Sequence, residues 1–228
     1  MSVRPISITA PLAGAIPGLP SDASPEALMV YCARVSSPQN QDKHNTGDRL
    51  LKYCIEHGHW SVFEMVDLTM EIETSRAVAA QILRHRSFSF QEFSQRYSPV
   101  PGSAVFQDVE IRMKNPAGNR QGSVVPGEPV MIGSQTAEVL VELALTHAHA
   151  AYYELLDAGV APECARMVLP LCTTTRLYMK GSVRSWIHYL QVRCDEHTQK
   201  EHRLVAEAVR GHFVQLFPVI SGALGWTA

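Results

Sequence analysis

From Val66 to Glu73 the chain alternates without a break: Val66, Leu68, Met70 and Ile72 are apolar, and Asp67, Thr69, Glu71 and Glu73 are polar. A period of two sends successive side chains to opposite faces, so this segment reads as a strand with one wet face. After Ser75 the pattern becomes helical, through Ala77, Val78, Gln81, Ile82 and Leu83. Ser24, Pro25 and Glu26 read as an N-cap, a proline at the first helical position and an acid in the first turn, opening a helix to about Val35. Thr46 opens a second helix with Leu50, Leu51, Cys54 and Ile55 on one face, stopped near Gly58. Ser134 with nearby Glu138 opens a long helix closed by Gly159, and Pro162 and Pro170 bracket a short one containing Arg166. Residues 173–180 are β-branched and aromatic, a strand pattern. Ser182 caps a helix through Trp186, Ile187 and Leu190, and a last helix spans about 198–216. Glycine and proline crowd residues 101–134, which read as loop with one strand around 109–113. Pro5, Pro11, Pro17 and Pro20 make the first 24 residues read as irregular. Helices and strands mix without regular β-α-β alternation, which defines an α+β class.

A chain of 228 residues with no repeat and no interior linker reads as one domain over 1–228. It lacks an apolar run of about 18 residues, so no membrane span is expected. A basic n-region followed by an unbroken apolar stretch is also missing, so no signal peptide is expected. With 20 basic and 22 acidic side chains the net charge is −2, which argues against bulk nucleic-acid or membrane-surface binding. Any anion site must be local. Five cysteines, an odd number without a C-x-x-C pair, fit neither a disulfide framework nor a zinc ribbon. They read as free thiols in a reducing cytoplasm. His57 and His59 have no further ligands at zinc spacing, so no metal is expected.

The local anion site has one strong candidate. Residues 84–96 carry Arg84, His85, Arg86 and Arg96 with Ser87, Ser89, Glu92 and Ser94, a net charge of +2 in a chain of −2. Guanidinium suits planar, bidentate recognition of phosphate, and serine hydroxyls add neutral donors. A solvated basic loop is the alternative from composition alone. Ser94 has no readable base partner, so phosphate binding suits it better than nucleophilic attack. Phe88, Phe90 and Phe93 read as packing, and Arg120 as either a phosphate contact from a loop or a solvated side chain. His197 and His202, five apart, fall on different helical faces.

The spacing itself is informative. Arg84-His85-Arg86, two residues, Ser89, four residues, Ser94, one residue and Arg96 resembles the signature of the flavin-dependent thymidylate synthases. His59-Trp60-Ser61-Val62-Phe63-Glu64 is similar to that family's upstream element, and Ala165-Arg166-Met167-Val168-Leu169-Pro170 to its A-R-x-x-L-P segment. Arg184-Ser185, then Leu190-Gln191-Val192-Arg193 and His197, resemble its C-terminal binding helix, so the resemblance spans roughly 28–217. It implies a twisted, mostly antiparallel sheet flanked by helices, assembled as a homotetramer with FAD at subunit junctions. It also implies reductive methylation of dUMP to dTMP, with methylenetetrahydrofolate as carbon donor, NADPH as reductant and no cysteine nucleophile. His59, Ser61, Arg84, His85, Arg86, Glu92, Ser182, Arg184 and His188 would meet the flavin. Gln81, Arg84, Glu92, Ser94, Gln95, Arg96, Arg166 and Arg193 would line the nucleotide site. Ser182 and His188 stand where the family commonly has Asn, and both still hydrogen-bond. Gln95 would donate through its backbone. Arg193 would stabilise negative charge on the uracil as the catalytic residue; without the resemblance it reads rather as an ordinary arginine on helix-terminal carbonyls. The competing classes are a nucleic-acid-binding module, which would show a basic stripe, and a cysteine-dependent methylating enzyme.

Overall fold

The computed structural model describes residues 1–101, 106–116 and 122–226. The alternating segment becomes β2 (Asp67–Ser75), which pairs antiparallel along its whole length with β8 (Thr174–Ser182). Two edge strands, β1 (Ser2–Ile8) and β3 (Ser89–Glu92), complete a sheet of order β1-β2-β8-β3. Leu68, Met70 and Ile72 of β2 and Leu177 and Met179 of β8 are fully buried on one face. Each such side chain contributes about 1.5–3 kcal/mol on leaving water. The other face is a polar ladder: Lys180 bridges Asp67 (2.7 Å), Arg176 bridges Glu73 (2.8 Å), and Arg4 (2.6 Å) and the Tyr178 hydroxyl (2.7 Å) both donate to Glu71.

Helices cover the apolar face. These are α1 (Pro25–Ala33), α2 (Gly47–Glu56), α3 (Arg76–Ile82), α6 (Val183–Arg193), α7 (Lys200–Leu216) and α8 (Pro218–Ala223). Trp186 of α6 is fully buried, and its indole N–H donates to the Leu68 carbonyl of the sheet at 3.0 Å. In α7, Val205, Ala206, Val209 and Phe213 follow the helical period into the same core. The long α4 (Ala137–Asp157) stands apart with α5 (Pro162–Ala165) around a second small core of Val100, Tyr152 and Ala165. Val139, Leu140 and Leu143 lie exposed along it. No helix among the described residues is long and apolar enough to cross a membrane.

Three expectations need correction. The first 24 residues are not wholly irregular, because β1 pairs with β2 and sets Val3 and Ile8 against the core. Proline is tolerated there because an edge strand leaves N–H groups outward, and the register shifts between Pro5 and Ser7. The strand expected over 109–113 reduces to β4 (Met113–Lys114), paired with β5 (Ser123–Val124). Ser134 does not open the long helix. It sits in the turn of a hairpin joining β6 (Met131–Ile132) to β7 (Gln135–Thr136), with Gly133 at φ 64°, and Thr136 caps α4 instead.

One close approach anchors the functional segment. A Cβ built on Gly181 of β8 would lie 2.5 Å from Phe88 Cδ1 and 2.7 Å from Cε1. The Phe88 ring is seated there edge-on to Trp186, with centroids 4.8 Å apart. Gly181→Ala is therefore expected to destabilise the fold by about 1–3 kcal/mol through overpacking, read as a lower urea midpoint. An unchanged midpoint would mean that Phe88 is not held against the strand.

Candidate active site

Both central strands run directly into helices. Ser75 ends β2 and caps α3, its Oγ accepting from Val78 N at 3.4 Å; Ser182 ends β8 and caps α6, accepting from Ser185 N at 3.3 Å. Because β2 and β8 are antiparallel, the two helices leave opposite ends of the sheet and meet at their C-termini. There Arg193 Nε donates to His85 Nε2 at 2.9 Å. Accepting that bond requires a neutral imidazole at Nε2. Burial, then the charges of Arg193 and His188, push the His85 pKa down to about 4.

Around this pair lie Gln81, Tyr189, which the sequence did not single out, and His202, which it only set apart from His197. Tyr189 packs edge-on to His85 with centroids 4.9 Å apart, and its hydroxyl meets His202 Nε2 at 3.2 Å. His202 Nδ1 meets Gln81 Oε1 at 3.1 Å. His202 is fully buried, and burial first, then Arg193 and His85, lower its pKa to about 3. A signal for it existed. His202 leads the buried run Val205, Ala206, Val209 and Phe213 at helical spacing, so it belongs to the core face of α7. His197 lies outside that helix, bonded to Asp195 at 2.7 Å.

A second group gathers where α6 packs on the turn of residues 60–64. Arg184 bridges Glu64 at 3.1 Å, while Ser61 is exposed on that turn and His59 just before it. The His59 ring stands edge-on to Tyr53, 5.7 Å between centroids. His188 is exposed one helical turn beyond Arg184. Ser182 is buried and uses its hydroxyl on Ser185, accepting from its N–H and donating to its Oγ at 3.2 Å. Arg84 and Arg86, at the end of α3, are exposed and make no side-chain hydrogen bond or ion pair with the described residues.

The remaining residues sit along β3 and beyond it. Glu92 Oε1 accepts from Arg76 (2.9 Å) and from the Thr175 hydroxyl (2.9 Å). Arg96 bridges Glu163 of α5 at 2.9 Å and lies 5.5 Å from the Tyr97 ring centroid. That bridge brings it to the short helix that Arg166 directly follows. Gln95 is buried, and its Nε2 donor has no partner among the described residues. A cavity of about 760 Å³, lined in part by Thr74, Phe93, Val100 and Thr175, opens beside this segment. The single chain thus joins Gln81 to His85 and Arg193, and separately joins Arg184 to the turn after His59 and Arg96 to α5. Arg120 lies outside the described residues. No group of three His, Cys, Asp or Glu side chains suited to a metal occurs among the described residues.

Exposed guanidiniums at Arg84 and Arg86, flanking a His85 that accepts from Arg193, make this an α+β domain with donors suited to a phosphorylated ligand. The family model described as "Thymidylate synthase complementing protein" matches residues 19–219, and the chain belongs to that family. It is 52% identical to a flavin-dependent thymidylate synthase of Synechocystis over 99% of this chain and all of that protein. It is 43% identical to a probable flavin-dependent thymidylate synthase of Paramecium bursaria Chlorella virus 1, again over 99% of this chain and all of the relative. Among solved structures it resembles the UMP/dUMP methylase PolB of Streptomyces cacaoi bound with 5-Br dUMP. The TM-score is 0.74 at 25% identity, covering 98% of this chain and 94% of that one.

Proposed function

We propose that this chain is a flavin-dependent thymidylate synthase that reductively methylates dUMP to dTMP. In this reading methylenetetrahydrofolate gives the carbon and NADPH the electrons. The observation that carries the reading is the similarity to relatives so named, 52% and 43% identical over 99% of the chain.

The donor set fits FAD. Arg84, Arg86, Arg184, His59 and Ser61 offer cations and neutral donors suited to a diphosphate, and Ser182 holds the helix that presents Arg184 and His188. FAD, when bound, supplies the redox chemistry. The protein's share is to bind, orient and polarise. Ser94, Arg96 and Arg166 would hold the nucleotide phosphate, with Gln95 donating through its backbone. Glu92, kept in place by Arg76 and Thr175, would accept from a ligand hydroxyl or ring N–H. Arg193 spends Nε on His85 and keeps its terminal fork for a uracil carbonyl that gains negative charge as C5 becomes nucleophilic.

A cysteine route has little support. Cys194, beside Arg193 in the chain, has its thiol pKa raised by burial, which disfavours the thiolate. The five cysteines are all free, as suits a cytoplasmic setting. The exposed Val139, Leu140 and Leu143 of α4 support burial of that helix face against another copy; a homotetramer with FAD at subunit junctions is what the family resemblance implies.

The test is an anaerobic assay with dUMP, methylenetetrahydrofolate and NADPH, with and without added FAD. Flavin-dependent dTMP formation is expected; FAD-independent turnover abolished by thiol alkylation would replace this reading with the cysteine one. Arg84→Ala is expected to lose flavin on gel filtration, and an unchanged visible spectrum would remove Arg84 from the flavin site.

A further inference from the structure

One row of side chains in the inner cluster has a direction. Tyr189 Oη is 3.2 Å from His202 Nε2, and His202 Nδ1 is 3.1 Å from Gln81 Oε1. Gln81 Nε2 is 2.6 Å from Gln199 Oε1, and Gln199 Nε2 is 2.8 Å from Glu201 Oε2. An amide or imidazole can be turned either way, so only a member with a single role fixes the polarity of such a row. Glu201 is that member. Burial pushes its carboxyl up, but hydrogen bonds from Gln199, its own backbone and Arg112 bring it below the ordinary value, so it is ionised and accepts only.

The rest follows link by link. Gln199 must aim its NH₂ at Glu201 and its carbonyl at Gln81. Gln81 must donate to Gln199 and turn its own carbonyl to His202. His202 must then carry its proton on Nδ1, which leaves Nε2 bare to accept from the Tyr189 hydroxyl. Every bond in the row is satisfied in this sense. The charged and titratable groups nearest the ring, Arg193 and His85, oppose a second proton on it.

We infer that Tyr189 and His202 are positioning residues that lock the Gln81 carboxamide with its N–H edge outward, so that this position offers the nucleotide a donor and never an acceptor. The inference rests on the proposed reading, in which Gln81 lines the dUMP site. Gln199, exposed at the start of α7, engages one of the two Gln81 N–H groups, so it and Glu201 stay in place when the second N–H donates to an acceptor oxygen of the nucleotide. Because the orientation is set before substrate arrives, binding need not first order the amide.

Two measurements test this. In 15N-histidine-labelled, flavin-loaded wild-type protein, solid-state NMR should find His202 protonated at Nδ1 and bare at Nε2, with the signal assigned by its loss in His202→Asn. The opposite tautomer, or an imidazolium, overturns the inference without reference to any substrate. Second, His202→Leu fills the space without a donor, whereas His202→Asn restores an N–H near the place of Nδ1. The dUMP dissociation constant of the flavin-loaded leucine variant should rise about three- to tenfold, the equivalent of one lost hydrogen bond. The asparagine variant should stay close to wild type even if it melts lower than the leucine one. A purely structural role predicts the reverse order, with the more stable leucine variant binding at least as well, and that result overturns the inference. Wild-type protein with the Nδ1 tautomer that takes up no dUMP would sink the nucleotide reading, and the positioning role with it, while leaving the polarity of the row intact.

Discussion

Arg193→Ala is expected to lose roughly two to three orders of magnitude in turnover, the usual effect of removing a donor aimed at developing charge, while the protein keeps its flavin colour. In the proposed reading this role differs from the ordinary one of an arginine at a helix end. Arg193 does lie in the last turn of α6, but its Nε is directed to His85 at 2.9 Å rather than to a helix carbonyl. The variant should also change how His85 titrates. Burial is the main cause of its depressed pKa, and Arg193 is the second, so removing that charge moves the value upward from about 4 towards the ordinary range. Arg193→Lys keeps the charge and loses the planar fork, and should fall between the two. The measurements are steady-state turnover with dUMP, the visible spectrum after gel filtration and the pH profile of the residual rate. Near-normal turnover in the alanine variant would remove the charge-stabilising role.

Glu26→Gln is expected to stabilise the protein above neutral pH and to do little in acid. Glu26 is 5% exposed, and its Oε1 accepts from Ile220 N at 2.9 Å, reaching across the core to cap α8. Burial raises its pKa to about 7 despite backbone hydrogen bonds from Ile220 and Val219. Between the unfolded value of 4.5 and about 7, the folded chain holds a proton that the unfolded chain has released. Stability from this group is therefore full below the lower value, declines as pH rises, and is gone above the upper one. The shift corresponds to about 3 kcal/mol at pH 8. Glutamine keeps the acceptor oxygen without the charge, so the melting temperature should rise by roughly 2–4 °C per kcal/mol recovered. Calorimetry at pH 8 and pH 4.5 checks this; an equal change at both would show that Glu26 is not buried as a carboxylate.

Much of the scaffold could be read from local chemistry. The alternation from Val66 onward, the turn to a helical pattern after Ser75, the cap at Ser182, and Pro25 after Ser24 each encode their structure within a few residues, and the elements form where those signals lie. What escaped depends on distant partners. Ser2–Ile8 becomes a strand because β2 offers an open edge, not because its own proline-bearing sequence demands one. Ser89–Glu92 pairs with β8 for the same reason, its short run saying only that Phe88 and Phe90 pack. Glu26 looks like a helix-start acid, yet only the tertiary fold turns it inward. The site divides the same way. Arg84, His85 and Arg86 stand out by residue type and spacing, Arg193 only through the family resemblance, and the structure pairs His85 with Arg193. The Tyr189 and His202 row is invisible in the chain because Gln81, the member it positions, lies 121 residues from His202 and its direction comes from Glu201 at the far end.

Neither β2 with α3 nor β8 with α6 has a connecting loop: each pair shares one serine. Such joints have no slack. The helices that carry Gln81 and Arg193 behave as levers welded to the stiffest part of the sheet, and neither has a hinge at its root. At their far ends Arg193 bonds His85, and Ser89–Glu92 ties the following stretch back to β8, so the spacing between the two arms is held at both ends.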